Sequence, residues 1–459
     1  MTALAGSDPD GTAPARTVAA RLKADPLVRN SFFLMATTAL AAGSGFVFWI
    51  VVARLYSPAE VGWASSLLSV VILLTYFSGL GLGSSLIRSL PTSSARTEHV
   101  SSALVAVAVT GTVLGAGFAI VAPFVAPGLS FLSGTFAHVV MFALLAMAAA
   151  QNLLTDSVFV ALRAAKYNMF VNGILMSVVK LALPIVFVST GAIGIFLSST
   201  LASAVAAIVS VILISRRLHI AVRPRLHPRT LRATLRYSLG NYASNCLNLV
   251  PLLVIPLLVL HLLGPVASAA YFVAFQIANF VNAVPYAVGE ALFAEGSHEQ
   301  EDLKHLAKRA ALLILAIVTP AVIVTIALAK PVLALFGSAY AADASNCLIV
   351  LALSAFAVAF NTWSGFLLKV TRQLTAMNAA NLAYAVVTVT LAAFGAQHGL
   401  VWIAAAWGVG NLTAGLVGFV ALALHRLRRD PGDQPRRRRT ETGDEAIPVP
   451  VLPRRGRFR

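Results

Sequence analysis

At 459 residues, with 58% hydrophobic and 11% charged residues and a mean hydropathy of +0.84, the chain is too apolar for a soluble globular protein. Its formal net charge of +17 would suit a nucleic-acid-binding protein, but the basic residues are spread through short segments between hydrophobic runs. Membrane topology explains that distribution, so we expect a polytopic membrane protein with no nucleic-acid partner. The two cysteines, Cys246 and Cys347, lie inside apolar runs without metal-site spacing, and we predict neither a metal nor a cofactor.

Twelve hydrophobic segments each have about the 20 residues that a helix needs to cross a bilayer. Their ranges are 31–53, 62–87, 101–125, 136–160, 168–189, 192–215, 238–262, 266–293, 310–329, 343–367, 373–394 and 400–424. An even number of spans puts both termini on one side, and that side carries all but three of the 34 lysines and arginines. The positive-inside rule therefore predicts a multi-pass protein of the plasma or inner cell membrane with both termini in the cytoplasm.

The second half of the chain repeats the first. At an offset of 207 residues the matching positions are Leu40 and Leu247, Val52 and Val259, Leu55 and Leu262, and Pro58 and Pro265. The repeat predicts an all-α fold, with twelve transmembrane helices in two six-helix lobes. The predicted divisions are an arm at 1–30, lobes at 31–215 and 237–425, a basic linker at 216–236 between them, and a basic tail at 426–459. Duplicated membrane bundles are usually transporters.

The linker 216–236 contains seven arginines and two prolines. We expect it to lie on the anionic inner leaflet, where each basic residue contributes about 1 kcal/mol. The tail from residue 426 to Arg459 has the composition of a disordered, membrane-attracted segment.

The turn after the first span contains residues that are typical of a helix N-terminus. Ser57 suits the N-cap, Pro58 the first helical position, and Glu60 the third position of a capping box. Arg54 and Glu60 are then charges at helix ends near the outer interface, an interpretation that we favour over substrate binding.

The segment that begins at this turn, ARLYSPAEVGWASSLLSVVILLTYFSGLGLGSSLIR, spans Ala53 to Arg88. It resembles the opening hairpin of the Wzx-type polysaccharide flippases in the multidrug/oligosaccharidyl-lipid/polysaccharide (MOP) exporter superfamily. The family pattern is Arg-Leu-x-x-Pro-Glu-x-x-Gly followed by Leu-Gly-Leu and an arginine, and this chain departs from it by inserting Ala59. Two later segments, FVALRAAKYNMFVNGILMSVVKLALPIVFV and VLALFGSAYAADASNCLIVLALSAF, are also similar to the family, so the resemblance covers roughly residues 30 to 425.

The resemblance implies a V-shaped, MATE-like arrangement of the two lobes around a cavity that opens alternately to either face. It implies transport of a polyprenyl-diphosphate-linked oligosaccharide to the outer leaflet for cell-surface polysaccharide synthesis. A polysaccharide polymerase and glycosyltransferases would then be functional partners. The protein would not be an enzyme, and no catalytic residues are expected.

Two charged residues stand out inside the spans, because a diphosphate headgroup needs cations or polar groups in a wetted cavity. Lys180 lies near the middle of the fifth span, where an unpaired ammonium costs about 2.5 to 3.5 kcal/mol. We expect it to face a cavity or an acid and to contact the diphosphate. Asp156 in the fourth span is a candidate for substrate binding or ion coupling, and a structural Asp156–Lys180 pair stays open as the alternative.

Two stripes of amides follow the spans of the second half. Asn241, Asn245 and Asn248 share one face of the seventh span, and Gln276, Asn279 and Asn282 recur at steps of three in the eighth. Such residues either hold adjacent helices together or line a sugar-binding wall, and the sequence does not choose between these roles.

Three further features lie near the inner ends of the spans. Arg88 matches the family's arginine near the cytoplasmic entrance, although topology alone would also place it there. Glu290 is a candidate for ion coupling. The glycines Gly79, Gly81 and Gly83 are candidate hinges in the second span.

The alternatives are a cation-coupled multidrug exporter of the same superfamily and, less well supported, a membrane glycosyltransferase or polymerase. An exporter would favour acids and aromatics around its cavity, whereas an enzyme of that kind should have a large outer loop or a carboxylate-rich motif. The outer loops here are short, and no nucleotide-binding or hydrolase motif occurs.

Overall fold

The computed structural model of the chain describes residues 26–125, 127–298 and 303–428. Within these ranges all regular structure is helical, and twelve helices are long and apolar enough to cross a membrane, as predicted. The predicted tail, most of the predicted arm and the short segment 299–302 lie outside the described residues.

We number the spans 1 to 12 in chain order. Their helices are Pro26–Leu55, Pro58–Ser78, Arg96–Val125, Phe136–Ala161, Ala165–Val186, Ala192–Arg217, Pro228–Leu263, Pro265–His298, Leu303–Ala327, Ser345–Val370, Leu374–Gly395 and Leu400–Arg428. Short helices at Leu82–Ser89, Pro127–Ser133, Val188–Thr190, Ala329–Ala334, Ser338–Asp343 and Ala396–His398 lie between them. Span 7 thus begins at Pro228, inside the stretch 216–236 that the sequence marks as a linker.

The predicted capping box at the start of span 2 is confirmed. The Ser57 hydroxyl accepts the Glu60 backbone N–H at 3.4 Å, and the Glu60 carboxylate accepts the Ser57 N–H at 2.8 Å. These two bonds satisfy backbone donors that would otherwise have no partner at the helix start.

The hydrophobic run suggested that span 2 continues as one helix through residue 87, and the structure shows that it does not. It ends at Ser78, and the helix Leu82–Ser89 follows in a new direction. Leu80 and Gly81 have φ angles of 49° and 71°, the left-handed region in which glycine is least strained. The predicted glycine hinge is therefore a helix break.

Span 5 is irregular in its first half. A π-helical stretch, Met169–Leu175, separates the short α-helix Ala165–Asn168 from the longer one, Met176–Val186. Such widened turns recur at functional sites because they redirect side chains. Here the stretch packs on span 1, since a Cβ atom at Gly173 would lie 3.3 Å from Leu40 Cδ1, and just after the stretch the Ser44 and Ser177 hydroxyls are 2.7 Å apart.

On the predicted outer side, a single cluster of buried hydrophobic residues joins the two halves of the chain. Trp49 of span 1 packs against Phe272 of span 8 at 4.4 Å between ring centroids. The Ser66 and Ser268 hydroxyls, also from the two halves, are 3.0 Å apart. Spans 2 and 8 are so close that a Cβ atom at Gly62 would overlap the carbonyl oxygen of Pro265.

On the predicted inner side the described residues form separate hydrophobic clusters for each half. Span 7 crosses over, with Leu231 packed against the N-terminal cluster and the Tyr242 hydroxyl donating to the Phe77 carbonyl oxygen at 2.7 Å. The two lobes are therefore closed against each other outside and separate inside, with span 7 extending between them.

Arg54, at the end of span 1, reinforces the outer closure. Its Nε donates to the carbonyl oxygen of Leu335 and its Nη2 to that of Ala334, both at 2.8 Å. The acceptors lie at the end of a short helix of the second half, where carbonyl groups lack partners within the helix. Arg54 thus links the two lobes through hydrogen bonds, and it is also the helix-end charge that the sequence suggested.

We predict that Gly62→Ala lowers the free energy of unfolding by about 1–3 kcal/mol, because the added methyl group must push spans 2 and 8 apart. Gly117→Ala is the matched control, since a Cβ atom there has no neighbour within 4 Å. Denaturant unfolding of both purified variants tests the prediction, and equal stabilities would contradict the close contact.

We predict that Arg54→Gln weakens the outer closure by about 1 kcal/mol, which is roughly a fivefold shift in the open population. Spin labels at Phe136 and Leu262, exposed by 84% and 46% on the outer side, would report the separation of the lobes by pulsed electron paramagnetic resonance. Lys330→Gln removes an exposed outer cation with no hydrogen bond in the described structure and is the control. An unchanged distance distribution in Arg54→Gln would rule out the closing role.

Candidate functional site

A chain of polar side chains links spans 4 and 5 in the inner half of the first lobe. Asn168 donates a side-chain hydrogen bond to the Asp156 carboxylate, and Asn172 donates to the Asn168 carbonyl oxygen at 2.7 Å. Asn172 lies in the middle of the π-helical stretch, and Asn168 directly precedes it. Asn168 therefore connects Asp156 of span 4 to Asn172 in the π-helical stretch of span 5.

Buried acceptors without a partner lie along the same spans. Within the described structure, the side-chain oxygens of Gln151, Asn152 and Asn172 have no hydrogen-bond donor. A buried acceptor without a donor is costly, so native structures usually supply water, an ion or a ligand. The group around Asp156 is therefore suited to a proton, a small cation or ordered water.

Lys180 is not paired with Asp156. Its ammonium lies 4.7 Å from the centroid of the Phe48 ring, a cation–π contact between spans 5 and 1. Among the residues that the structure describes, no carboxylate forms an ion pair with Lys180. The structural Asp156–Lys180 pair that the sequence left open is therefore absent from this conformation, because Asp156 bonds to Asn168 instead.

The outer end of span 5 is fastened one turn beyond Lys180. The Tyr56 hydroxyl donates to the Pro184 carbonyl oxygen at 2.7 Å. Burial, and after it the Glu60 carboxylate, raises the pKa of Tyr56, so the phenol keeps the proton that makes this bond. The bond positions the helix that carries Lys180.

A cavity of about 360 Å³, here called the inter-lobe cavity, lies where the break in span 2 meets spans 4 and 7. Its lining includes Tyr76, Gly79, Gly81, Gly83, Ser84, Ser157, Tyr242, Cys246 and Asn248. Ser157 directly follows Asp156, and Tyr76 lies close enough to Asp156 for electrostatic interaction. Asp156, Asn168 and Asn172 do not themselves line the inter-lobe cavity, and Tyr76 is the lining residue that links the cavity to Asp156.

A second cavity, of about 320 Å³, lies between spans 1 and 8 and is called the span 1/8 cavity. Gln276 and Asn279 provide its amides, and Phe46, Trp49, Phe280 and Phe336 provide aromatic walls. Both volumes fall in the range of small-molecule sites. Two of the three amides in the predicted stripe of span 8 therefore line a cavity.

The third member, Asn282, is 5% exposed, and its side-chain oxygen has no donor in the described structure. In span 7, Asn248 lines the inter-lobe cavity and lies 3.5 Å from the Asn381 oxygen, at the limit of a hydrogen bond. The side chains of Asn241 and Asn245 lie outside the described residues.

The two remaining candidates lie apart from the polar chain. Arg88 is exposed on the short helix Leu82–Ser89, and Glu290 is exposed on span 8, close enough to Lys369 for electrostatic interaction. The structure therefore does not bring Arg88, Glu290, Asp156 and Lys180 into one cluster.

Sequence reasoning missed Asn152, Asn168 and Asn172. A signal was present, because Asn152 and Asp156 are four residues apart on one helix, and Asn168 and Asn172 are four apart on the next. Two such pairs on either side of a short turn predict facing polar groups.

Comparison with protein families gives two matches. A family profile described as "Polysaccharide biosynthesis protein" matches residues 27–293, and one described as "MatE" matches residues 242–394. No curated protein sequence matches the chain.

Solved structures share the fold. An inward-facing multidrug resistance MATE family transporter of the MOP superfamily aligns with a TM-score of 0.67 at 16% identity, covering 86% of this chain and 99% of its own. The lipid II flippase MurJ, in an inward closed conformation, gives 0.66 at 12% identity, covering 85% and 87%. An outward-facing MATE transporter gives 0.58 at 18% identity, covering 89% and 98%.

We predict an energetic coupling of about 0.5–3 kcal/mol between Asp156→Ala and Asn168→Ala in a double-mutant cycle, because each variant alone leaves a buried partner unsatisfied. The same cycle for Asp156→Ala and Lys180→Ala should give a coupling below about 0.5 kcal/mol. Unfolding in mixed micelles would measure both cycles. Strong coupling to Lys180 and none to Asn168 would show that the two charges are paired.

Proposed function

Because the chain belongs to the polysaccharide biosynthesis protein family and is a membrane transporter of the MOP superfamily, we propose that it flips a polyprenyl-diphosphate-linked oligosaccharide. The substrate would move from the cytoplasmic to the outer leaflet of the cell membrane. The family match, which covers residues 27–293, is the observation that carries this proposal.

Lys180 supports an anionic substrate. It lies within span 5, faces an aromatic ring, and has no carboxylate partner in the described part of the chain. An ammonium at that depth is costly unless it meets water or an anion. Lys180 lines neither cavity in this conformation, and a diphosphate group that reached it during transport would supply the missing negative charge.

The two cavities support the handling of a headgroup and a lipid tail. The amides Gln276, Asn279 and Asn248 can both donate to and accept from sugar hydroxyls. The aromatic walls of the span 1/8 cavity suit the first isoprenoid units. In this proposal the sugars occupy the separated inner side while the tail stays among apolar residues.

Transport would proceed by alternating access. The lobes are closed on the side of Arg54, so with both termini in the cytoplasm the conformation described here would load substrate from the inner leaflet. Opening the outer side requires breaking the Arg54 bonds and separating spans 2 and 8. Asp156 is our candidate for the ion-coupling group, because it lies inside span 4 and binds a neutral amide instead of a cation.

A cation-coupled multidrug exporter is the second candidate. The MatE match at residues 242–394 and the MATE structures favour it. The aromatic walls of the span 1/8 cavity also favour it, but the residues described around the two cavities include amides and no carboxylate, which suits a glycolipid better than a cationic drug. A polysaccharide polymerase and glycosyltransferases are the partners that the flippase proposal requires.

We predict that Lys180→Met lowers glycan export at least tenfold, since a hydrogen bond from a charged donor contributes about 1.5–3 kcal/mol. The measurement is the amount of lipid-linked glycan that accumulates facing the cytoplasm in cells that depend on the variant. Lys166→Met is the matched control, because that lysine also lies over an aromatic ring, 4.8 Å from the centroid of Tyr167, but at the predicted inner turn. Normal export by Lys180→Met would remove Lys180 from the mechanism.

Depletion of the wild-type protein separates the two functions. A flippase predicts cytoplasmic accumulation of lipid-linked glycan with unchanged drug sensitivity. Drug sensitivity without glycan accumulation would instead identify the exporter. Asp156→Asn in the same cells should also lower export if the carboxylate couples the ion.

A further inference from the structure

A third cavity, of about 610 Å³, lies far from the candidate transport site, at the predicted cytoplasmic end of span 3. The segment between spans 6 and 7 folds over it. The charged residues and histidines that line it are Arg96, Glu98, His219, Arg223, Arg225 and His227. We call it the linker cavity.

The segment that closes the linker cavity is held to span 3 by its backbone. The Ser101 hydroxyl accepts the Arg223 N–H and the Ser102 hydroxyl accepts the His227 N–H, both at 3.0 Å. Ile220 is 3% exposed and belongs to the buried cluster of the first lobe. The position of the arginines is therefore set by anchors on both sides of them.

The electrostatics of the cavity favour an anion. Three guanidinium groups face one carboxylate, so the lining carries a net positive charge without any contribution from histidine. The cavity also lies at the start of the 30-residue helix of span 3, whose first N–H groups add positive potential. Guanidinium groups bind phosphate through paired hydrogen bonds, and Arg223 and Arg225 are both exposed and able to do so.

We propose that the linker cavity binds the phosphate-bearing headgroup of an anionic phospholipid of the inner leaflet. The location selects a lipid over a soluble anion, because the cavity lies where spans 3, 6 and 7 reach the membrane surface. A headgroup there contacts span 3 and the linker together. It would fix the start of span 7 to the first lobe, and this role does not depend on which substrate the protein transports.

The test is native mass spectrometry of the detergent-solubilised full-length protein, titrated with phosphatidylglycerol and, separately, with phosphatidylcholine. We expect Arg223→Gln/Arg225→Gln to weaken binding of the first phosphatidylglycerol at least tenfold, and phosphatidylcholine to bind much more weakly to the wild type. Arg216→Gln/Arg217→Gln is the matched control. It removes the same charge from exposed positions at the end of span 6 that do not line the cavity.

Glu98→Gln provides a test in the opposite direction. Removal of the one carboxylate should tighten phosphatidylglycerol binding several-fold, a gain that a misfolded variant would not produce. The proposal would be overturned if Arg223→Gln/Arg225→Gln and Arg216→Gln/Arg217→Gln lost phosphatidylglycerol affinity equally, or if Glu98→Gln bound this lipid more weakly than the wild type. Inorganic phosphate that binds as tightly as the lipid would overturn the headgroup as the ligand.

Discussion

Spans 2 and 8 meet without room for a side chain at Gly62, and the contacts between the lobes are arranged around that meeting point. The Ser66–Ser268 contact lies one turn further in, and the Trp49–Phe272 contact lies beside it. Pro58 and Pro265, which start these two spans, are equivalent positions in the repeat. The outer contact between spans 2 and 8 is therefore the one that must separate for the outer side to open.

The candidate site lies where the repeat is broken. At an offset of 206, the positions equivalent to Asp156 and Lys180 are Thr362 and Val386. The helix break after Ser78 and the π-helical stretch of span 5 have no counterpart in the regular helices of spans 8 and 11. A repeated scaffold thus carries Asp156 and Lys180 in one lobe, at positions that are uncharged in the other.

Features set by local chemistry could be predicted from the sequence. The twelve spans follow from hydrophobic length, and the capping box follows from the spacing of Ser57 and Glu60. The partners of Asp156, Lys180 and Arg54 could not be read in this way, because each depends on which faces of distant helices meet. Arg54 bonds to carbonyl groups 280 and 281 residues away, and no pattern of side chains encodes such acceptors. The amide stripe of span 8 was partly predictable. Its periodicity shows that the amides share one face of the helix, but it does not show what that face contacts.

The acceptors of Arg54 also have a genetic consequence. A salt bridge can be lost by substitution of either partner, but the carbonyl groups of Ala334 and Leu335 persist whatever side chains occupy those positions. Inheritance of these two hydrogen bonds therefore depends on a single side chain, that of Arg54 in the first half. The exposed side chains of Ala334 and Leu335 can diverge while the backbone keeps its path, whereas the neighbouring Leu333 and Phe336 are buried in the core between the halves.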